Sequence, residues 1–452
     1  MPATVSIHGQ WSTRLAFVLA ATGSAVGLGN IWRFPYIAGD NGGGAFVLVY
    51  LACILLIGLP IMMGEILLGR RGRQSPINTM LTVAREEGLS RGWGLMGWVG
   101  VLAGFLILSF YSVIAGWALS YVFKAGTGSF AGLDAEGSAE MFGAMLANPE
   151  GLLAWHTIFM VMTAMVVARG VRSGLERAVT ILMPALVVLL IILVGYSMAQ
   201  GAFMEGVRFL FRPDFGALSP NAVLLAMGQA FFTLSLGMGA IMVYGSYLSS
   251  EASIGKTSGA VVAADTSVAL LAGLAIFPIL FAAGVSPEQG PGLIFVTLPL
   301  AFGEMPLGLF FGTLFFVLLV FAAWTSAISL IEPAVAFMVE NLQLSRVFAT
   351  TVVAMLAWTL GIAALLSLNV WSGYTLFDKG VLDILDYLTA NIMLPLGGFL
   401  IALFVGWRMT ERSVQSELRL QLGWLYSVWY FLVRYVAPIA ILVVFLRAVG
   451  VI

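Results

Sequence analysis

Eleven stretches of the chain are almost purely apolar, near 12–37, 44–69, 94–123, 154–169, 178–200, 218–248, 257–284, 306–338, 346–367, 380–407 and 425–448. A helix needs roughly 20 such residues to cross the hydrocarbon core of a bilayer, and only the fourth stretch falls short of that. Lipid offers no partner for backbone N–H and C=O groups, so stretches of this kind have to fold as helices. With 60% hydrophobic and 10% charged residues, a soluble domain is excluded. The expected fold class is an all-α polytopic membrane protein with 11 transmembrane helices.

Basic residues orient the spans. With the N-terminus in the cytoplasm, the inner connections hold Arg70, Arg71, Arg73, Arg85, Arg91, Arg169, Arg172, Arg177, Lys256, Arg346, Arg408, Arg412 and Arg419. The outer ones hold only Lys124, Arg208, Arg212 and Lys379, and the longest of them, about 125–153, is acidic. This is a positive-inside bias; the odd number of spans then leaves the C-terminus outside, and the eleven-span architecture suggests a bacterial inner (plasma) membrane. No cleavable signal peptide is visible, because the first apolar run continues without a small-residue cleavage site. A single cysteine, Cys53, excludes intramolecular disulfides and reads as a packing residue. Two histidines, His8 and His156, are a poor basis for a buried transition-metal site. No nucleotide loop or catalytic set is evident, so neither an enzyme nor a nucleic-acid partner is expected.

Two of the spans are badly made for crossing a membrane. The first carries GSAVGLGNIWRFP from Gly23 to Pro35, placing three glycines, Asn30 and Arg33 near mid-membrane. A glycine inside a helix costs about 1 kcal/mol relative to alanine, and an arginine at that depth roughly 2.5–3.5 kcal/mol. The sixth carries FFTLSLGMG from Phe231 to Gly239. Helices interrupted in corresponding positions of two halves are the mark of an inverted-repeat transporter with its site at the midplane. The expected organisation is a 5+5 inverted repeat, residues 1–200 and 201–407, with spans 1 and 6 unwound. Residues 408–452 then form a cytoplasmic loop and the eleventh span. Gly237 and Gly239 can also be read as allowing close helix packing.

The stretches WSTRLAFVLAATGSAVGLGNIWRFPY, NGGGAF, GQAFFTLSLGMGAIMVYGSY and FAAWTSAISLIEP resemble the neurotransmitter:sodium symporter family, in particular its bacterial amino-acid transporters. The resemblance covers nearly the whole chain and implies two co-transported sodium ions. The first would be held by the Ala25 carbonyl, Asn30, Thr233, Asp265 and the substrate carboxylate. The second would be held by the carbonyls of Gly23 and Val26 with Ala322, Thr325 and Ser326. The last three stand at i, i+3 and i+4, on one helix face. Taken alone, Thr325 and Ser326 read equally as hydroxyls bonded back to their own helix. The resemblance further implies a substrate site of Ala25, Gly29, Ile107, Tyr111, Phe232, Thr233, Ser235, Met238, Ser326 and Leu330. Apart from two serines its side-chain pocket is apolar, which favours a hydrophobic L-amino acid. Met238 stands where leucine-transporting relatives have phenylalanine, and an adaptable thioether leaves room for aromatic substrates.

Further residues are matched with roles in gating. Arg33 and Asp386 match an outer gating pair, with Tyr111 and Phe232 as a lid over the substrate. On the inner side Trp11 and Tyr247 are retained. His8 and Glu340 replace the usual arginine and aspartate, so that latch is expected to be weaker or pH-sensitive. Glu65 is placed behind the first broken helix. The matched chloride region is Tyr50, Gln229, Thr233 and Ala269, where Ala269 offers no ligand to an anion. Asp265 stands one turn earlier, where many relatives have asparagine, and would supply a fixed countercharge in chloride-independent transport. Asp265 can also be read as a buried carboxylate paired with a nearby donor. The leading expectation is a sodium-coupled importer of hydrophobic amino acids. The alternatives are the same fold moving another small zwitterion, such as glycine or an osmolyte, and a non-transporting amino-acid sensor.

Overall fold

The computed structural model describes residues 6–218, 220–286, 290–420 and 423–448. Among them, nine helices are long and apolar enough to cross a membrane, and joining Arg14–Ala25 to Gly29–Asp40 makes a tenth span, bent by 52°. The expected sixth span is present as two short helices, Pro220–Thr233 and Ala240–Ser246. Neither reaches across alone, so the count of eleven depends on their acting together. The fourth span is longer than its apolar run, Pro149–Ala168, because Asn148 caps it through the Gly151 N–H and Pro149 occupies the first turn. The acidic outer connection is not all loop. It holds the helix Ala135–Leu146, begun by Asp134 accepting from the Gly137 N–H.

Two long helices, Arg91–Gly126 and Gly308–Leu342, pack extensively against each other and flank the interrupted segments. Their backbones come close because glycine lies at the crossing. A Cβ on Gly104 would stand 3.2 Å from both the Leu330 and Met238 carbonyl oxygens, and one on Gly100 3.1 Å from the Gly239 nitrogen. Small residues are what allow helices to pack this tightly in lipid, where apolar burial gives no net drive. The outer helices keep their apolar sides exposed: Ile181, Val188 and Ile191 on Val171–Ala199, and Ile439 and Val443 on Gly423–Arg447. Cys53 is buried within Gly44–Gly72, a packing residue of that helix.

Candidate functional site

Both interruptions occur where the sequence is glycine-rich. The first helix ends at Ala25, Val26 is extended, and a π-helical turn restarts the chain at Gly29. The second ends at Thr233 and restarts at Ala240. Between these, Ser235, Gly237 and Gly239 have φ of 54°, 76° and 76°. This left-handed backbone is free for glycine and strained for Ser235. Ser235 repays the strain by donating its hydroxyl to the Ser24 carbonyl at 2.8 Å, which ties one break to the other.

A cavity of about 20 Å³ lies between the breaks, lined by Ser24, Ala25, Gly27, Gly29, Ile107, Tyr111, Phe232, Ser235, Met238, Ser326 and Leu330. Nine of the ten expected substrate residues are on that wall, and the tenth, Thr233, turns to Asp265 instead. Ser24 and Gly27 were not anticipated, although both lie in the run that signals the break. Space of this size holds a water or so. An amino acid enters only if side chains such as Tyr111, Phe232 or Met238 move. The Tyr111 hydroxyl accepts from the Leu28 N–H at 3.2 Å. Tyr111 and Phe232 also line a second cavity, of about 320 Å³, together with Arg33, Trp117 and Asp386. They stand between the two cavities.

Asp265 is fully buried and the polar groups of both breaks converge on it. Asn30 donates to its carboxylate at 2.8 Å and to its backbone carbonyl at 3.1 Å, and the Thr233 hydroxyl donates at 3.1 and 3.2 Å. Among the described residues no arginine, lysine or histidine lies within 4.0 Å of Asp265. A buried carboxylate held only by neutral donors suits a cation. Tyr50 and Gln229 are close by. The Gln229 amide donates to the Gly29 carbonyl at 2.7 Å, while among the described residues its oxygen and the Tyr50 hydroxyl have no hydrogen-bond partner. Ala269 is buried and apolar.

Opposite the first break, Ser326 and Thr325 behave differently. The Ser326 hydroxyl reaches the carbonyls of Gly23, Ser24 and Val26 at 3.4, 3.2 and 3.2 Å. The Thr325 hydroxyl bonds back to Phe321 and Ala322 in its own helix, both at 3.1 Å. Its Cβ nevertheless packs on Gly23, where an added methyl would lie 3.3 Å away. Free carbonyls facing hydroxyls are the oxygen-rich environment that hard cations favour.

At the far side of the breaks, Trp11 donates its indole N–H to the Tyr244 carbonyl at 3.1 Å and its backbone N–H to the Tyr247 carbonyl at 3.2 Å. His8 Nε2 lies 3.0 Å from Glu340, which also accepts from the Ser75 N–H, the Ser75 hydroxyl and Asn78. Tyr247 donates to Glu332 at 2.7 Å, and Glu332 pairs with Arg346. Glu332 and Arg346 went unassigned from sequence, although a carboxylate inside an apolar stretch was a signal that a partner had to exist.

One expectation is corrected, that for Glu65, and the outer pair is seen unpaired. Arg33 and Asp386 face the same cavity but do not pair within 4.0 Å; the Arg33 guanidinium sits over the Phe232 ring, 4.7 Å from its centre. Glu65 does not lie behind the first break. Its carboxylate accepts from the Gly237 N–H at 3.2 Å, behind the second. Gly44–Gly72 crosses Ala240–Ser246 so tightly that a Cβ on Gly69 would overlap the Met242 carbonyl at 1.9 Å, and this crossing carries Glu65 to Gly237.

Comparison with known proteins agrees with this geometry. The sequence model of the sodium:neurotransmitter symporter family matches residues 8–136 and 138–452. An uncharacterized sodium-dependent transporter of Bacillus subtilis, YhdH, is 41% identical over 446 residues, covering 98% of both chains. A sodium-dependent transporter of Haemophilus influenzae is 33% identical over 96% of this chain and 97% of its own. The crystal structure of MhsT in complex with L-phenylalanine superposes with a TM-score of 0.90 at 46% identity, covering 97% of this chain and 99% of that one.

Proposed function

The chain belongs to the sodium:neurotransmitter symporter family, and we propose that it imports hydrophobic L-amino acids, aliphatic and aromatic, with two sodium ions and without chloride. As a sodium-dependent symporter it is a multi-pass membrane transporter and not an enzyme. The observation that carries the finer reading is the cavity between the breaks. Its side-chain end, formed by Ile107, Phe232, Met238 and Leu330, has no charge. The match to MhsT, crystallised with L-phenylalanine, supports an aromatic substrate.

One sodium ion would lie among Ala25, Asn30, Thr233 and Asp265, completed by the substrate carboxylate. The other would lie among Gly23, Val26, Ala322, Thr325 and Ser326, once Thr325 turns from its own helix. A carboxylate shared between substrate and ion makes each raise the affinity for the other, which is the coupling a symporter needs. Two sodium ions and a zwitterion carry +2, and Asp265 lowers that to +1 without an anion. Residues 1–200 and 201–407 would be the inverted halves, with the N-terminus cytoplasmic and the C-terminus outside.

The test is uptake of labelled leucine and tryptophan into proteoliposomes under an inward sodium gradient, with potassium as control. Both are expected to accumulate and to compete with each other, equally in chloride and in gluconate. Failure of tryptophan to compete would remove the aromatic range, stimulation by chloride would remove the role of Asp265, and uptake of glycine alone would overturn the substrate class.

His8 and Glu340, 3.0 Å apart, would latch the cytoplasmic side. His8→Arg replaces the imidazole with a permanently charged guanidinium, worth about 1 kcal/mol. The inward-open population, read from spin-label distances across this face, is expected to fall roughly fivefold. An unchanged population would mean the pair is not a latch.

A further inference from the structure

A cleft of about 700 Å³, far larger than either cavity at the breaks, opens between Gly44–Gly72, the start of Ile254–Ala282 and Gly423–Arg447. Its walls are Leu55, Leu59, Pro60, Leu425, Val428 and Leu432, and its mouth holds Lys256, Arg419 and Glu251. Leu55 is 56% and Val428 49% exposed, so the walls open sideways toward lipid. The Trp429 indole donates to the Pro60 carbonyl at 3.2 Å and closes the back.

The mouth is held rigid from beneath. Arg70, 3% exposed, bonds to the Glu417 carboxylate and backbone carbonyl and to the Ala252 carbonyl. This single side chain locks the segment carrying Arg419 to the segment carrying Glu251 and Lys256. Among the described residues neither Lys256 nor Arg419 has a carboxylate within 4.0 Å. With Glu251 counted, the mouth carries a net charge of +1, beside the positive end of a 29-residue helix. Basic pockets between membrane helices at the cytoplasmic surface attract anionic headgroups, at about 1 kcal/mol per cation.

We infer that this cleft holds one anionic glycerophospholipid, its phosphate between Lys256 and Arg419 and an acyl chain along Leu55, Leu59, Val428 and Leu432. A lipid seated there joins the last span to the helix that carries Asp265.

The test uses the full chain in detergent, with phosphatidylglycerol and phosphatidylcholine as probes and retained lipid counted by native mass spectrometry. About one phosphatidylglycerol per protein is expected, in preference to phosphatidylcholine. The double variant K256A/R419A is expected to bind it about thirtyfold more weakly, roughly fivefold for each cation. Val428→Trp, which fills the wall and leaves both charges, should also displace it. Sodium-dependent substrate binding reports that each variant is folded. Equal retention of the two lipids, or retention unchanged in both variants, would overturn the inference. Full displacement by glycerol 3-phosphate would overturn it as well, by showing a phosphate site without an acyl chain.

Discussion

Asp265→Asn is expected to lower sodium-driven uptake about a hundredfold and to raise the sodium concentration for half-saturation, in a protein that still folds. The carboxylate is fully buried, and among the described residues its hydrogen bonds come from neutral groups, Asn30 and Thr233. A sodium ion seated beside it would supply the missing positive charge. At about 4 Å and an effective dielectric constant near 20, the attraction between two unit charges is about 4 kcal/mol. An asparagine oxygen still offers a neutral ligand and recovers part of that, leaving about 3 kcal/mol, or roughly a hundredfold. Folding should survive, because a buried carboxylate without a cation is costly and the amide removes that cost. The measurements are sodium titration of labelled substrate binding and uptake with and without chloride. An unchanged sodium half-saturation would show that Asp265 is not a ligand and leave it as a buried carboxylate paired with Asn30.

Much of this site was legible because it breaks the rules of a membrane helix. Glycines, Asn30 and Arg33 in an apolar run mark the first break, and the structure puts the bend at Val26–Leu28, inside that run. Gly237 and Gly239 mark the second, while Ser235, which also has positive φ, carries no such mark, because serine is ordinary in a helix. Ile107 and Tyr111, one turn apart, do share the cavity wall. What could not be read were contacts between elements far apart in the chain. Glu65 faces one of two similar glycine breaks, and only the close crossing at Gly69 decides which. Arg33 and Asp386 have opposite charges and the same cavity, yet a sequence does not say whether the space between them is closed. Thr325 and Ser326 are adjacent hydroxyls that look alike on paper. One bonds to its own helix and the other across to the first break, because successive residues on a helix point about 100° apart.

The arrangement of the two faces also has a physical logic. On the His8 side aromatic packing of Trp11 with Tyr244 and Tyr247 joins hydrogen bonds to Glu340 and the buried pair Glu332–Arg346. On the other side Tyr111 and Phe232 line both the small cavity and the larger one. If the chain opens to either side as proposed, opening toward the larger cavity would require Tyr111 and Phe232 to swing, and opening toward His8 would require the Glu340 and Glu332–Arg346 contacts to part.

Gly27→Ala is expected to weaken substrate binding about a hundredfold from inside the small cavity without unfolding the protein. The glycine is not left-handed, so its backbone accepts alanine, but the methyl would stand 2.4 Å from the Ser326 hydroxyl and 2.8 Å from the Tyr111 hydroxyl. Neither distance is tolerable, and relief requires both groups to turn away. Ser326 then gives up the carbonyls of Gly23, Ser24 and Val26, and Tyr111 gives up the Leu28 N–H. Overpacking costs typically 1–3 kcal/mol and each lost hydrogen bond about 1 kcal/mol. Substrate that needs Ser326 and Tyr111 in their present places must restore them against a cost of about 3 kcal/mol, so its binding should weaken about a hundredfold. Ser326→Ala in the same chain removes the worst of the two contacts. The double variant should therefore bind substrate better than the sum of the two single losses allows, a coupling that a double-mutant cycle reads directly. If Gly27→Ala transports like the wild type, the cavity between the breaks is not where the substrate sits. If the two changes are simply additive, Ser326 and Gly27 do not share the space the geometry gives them.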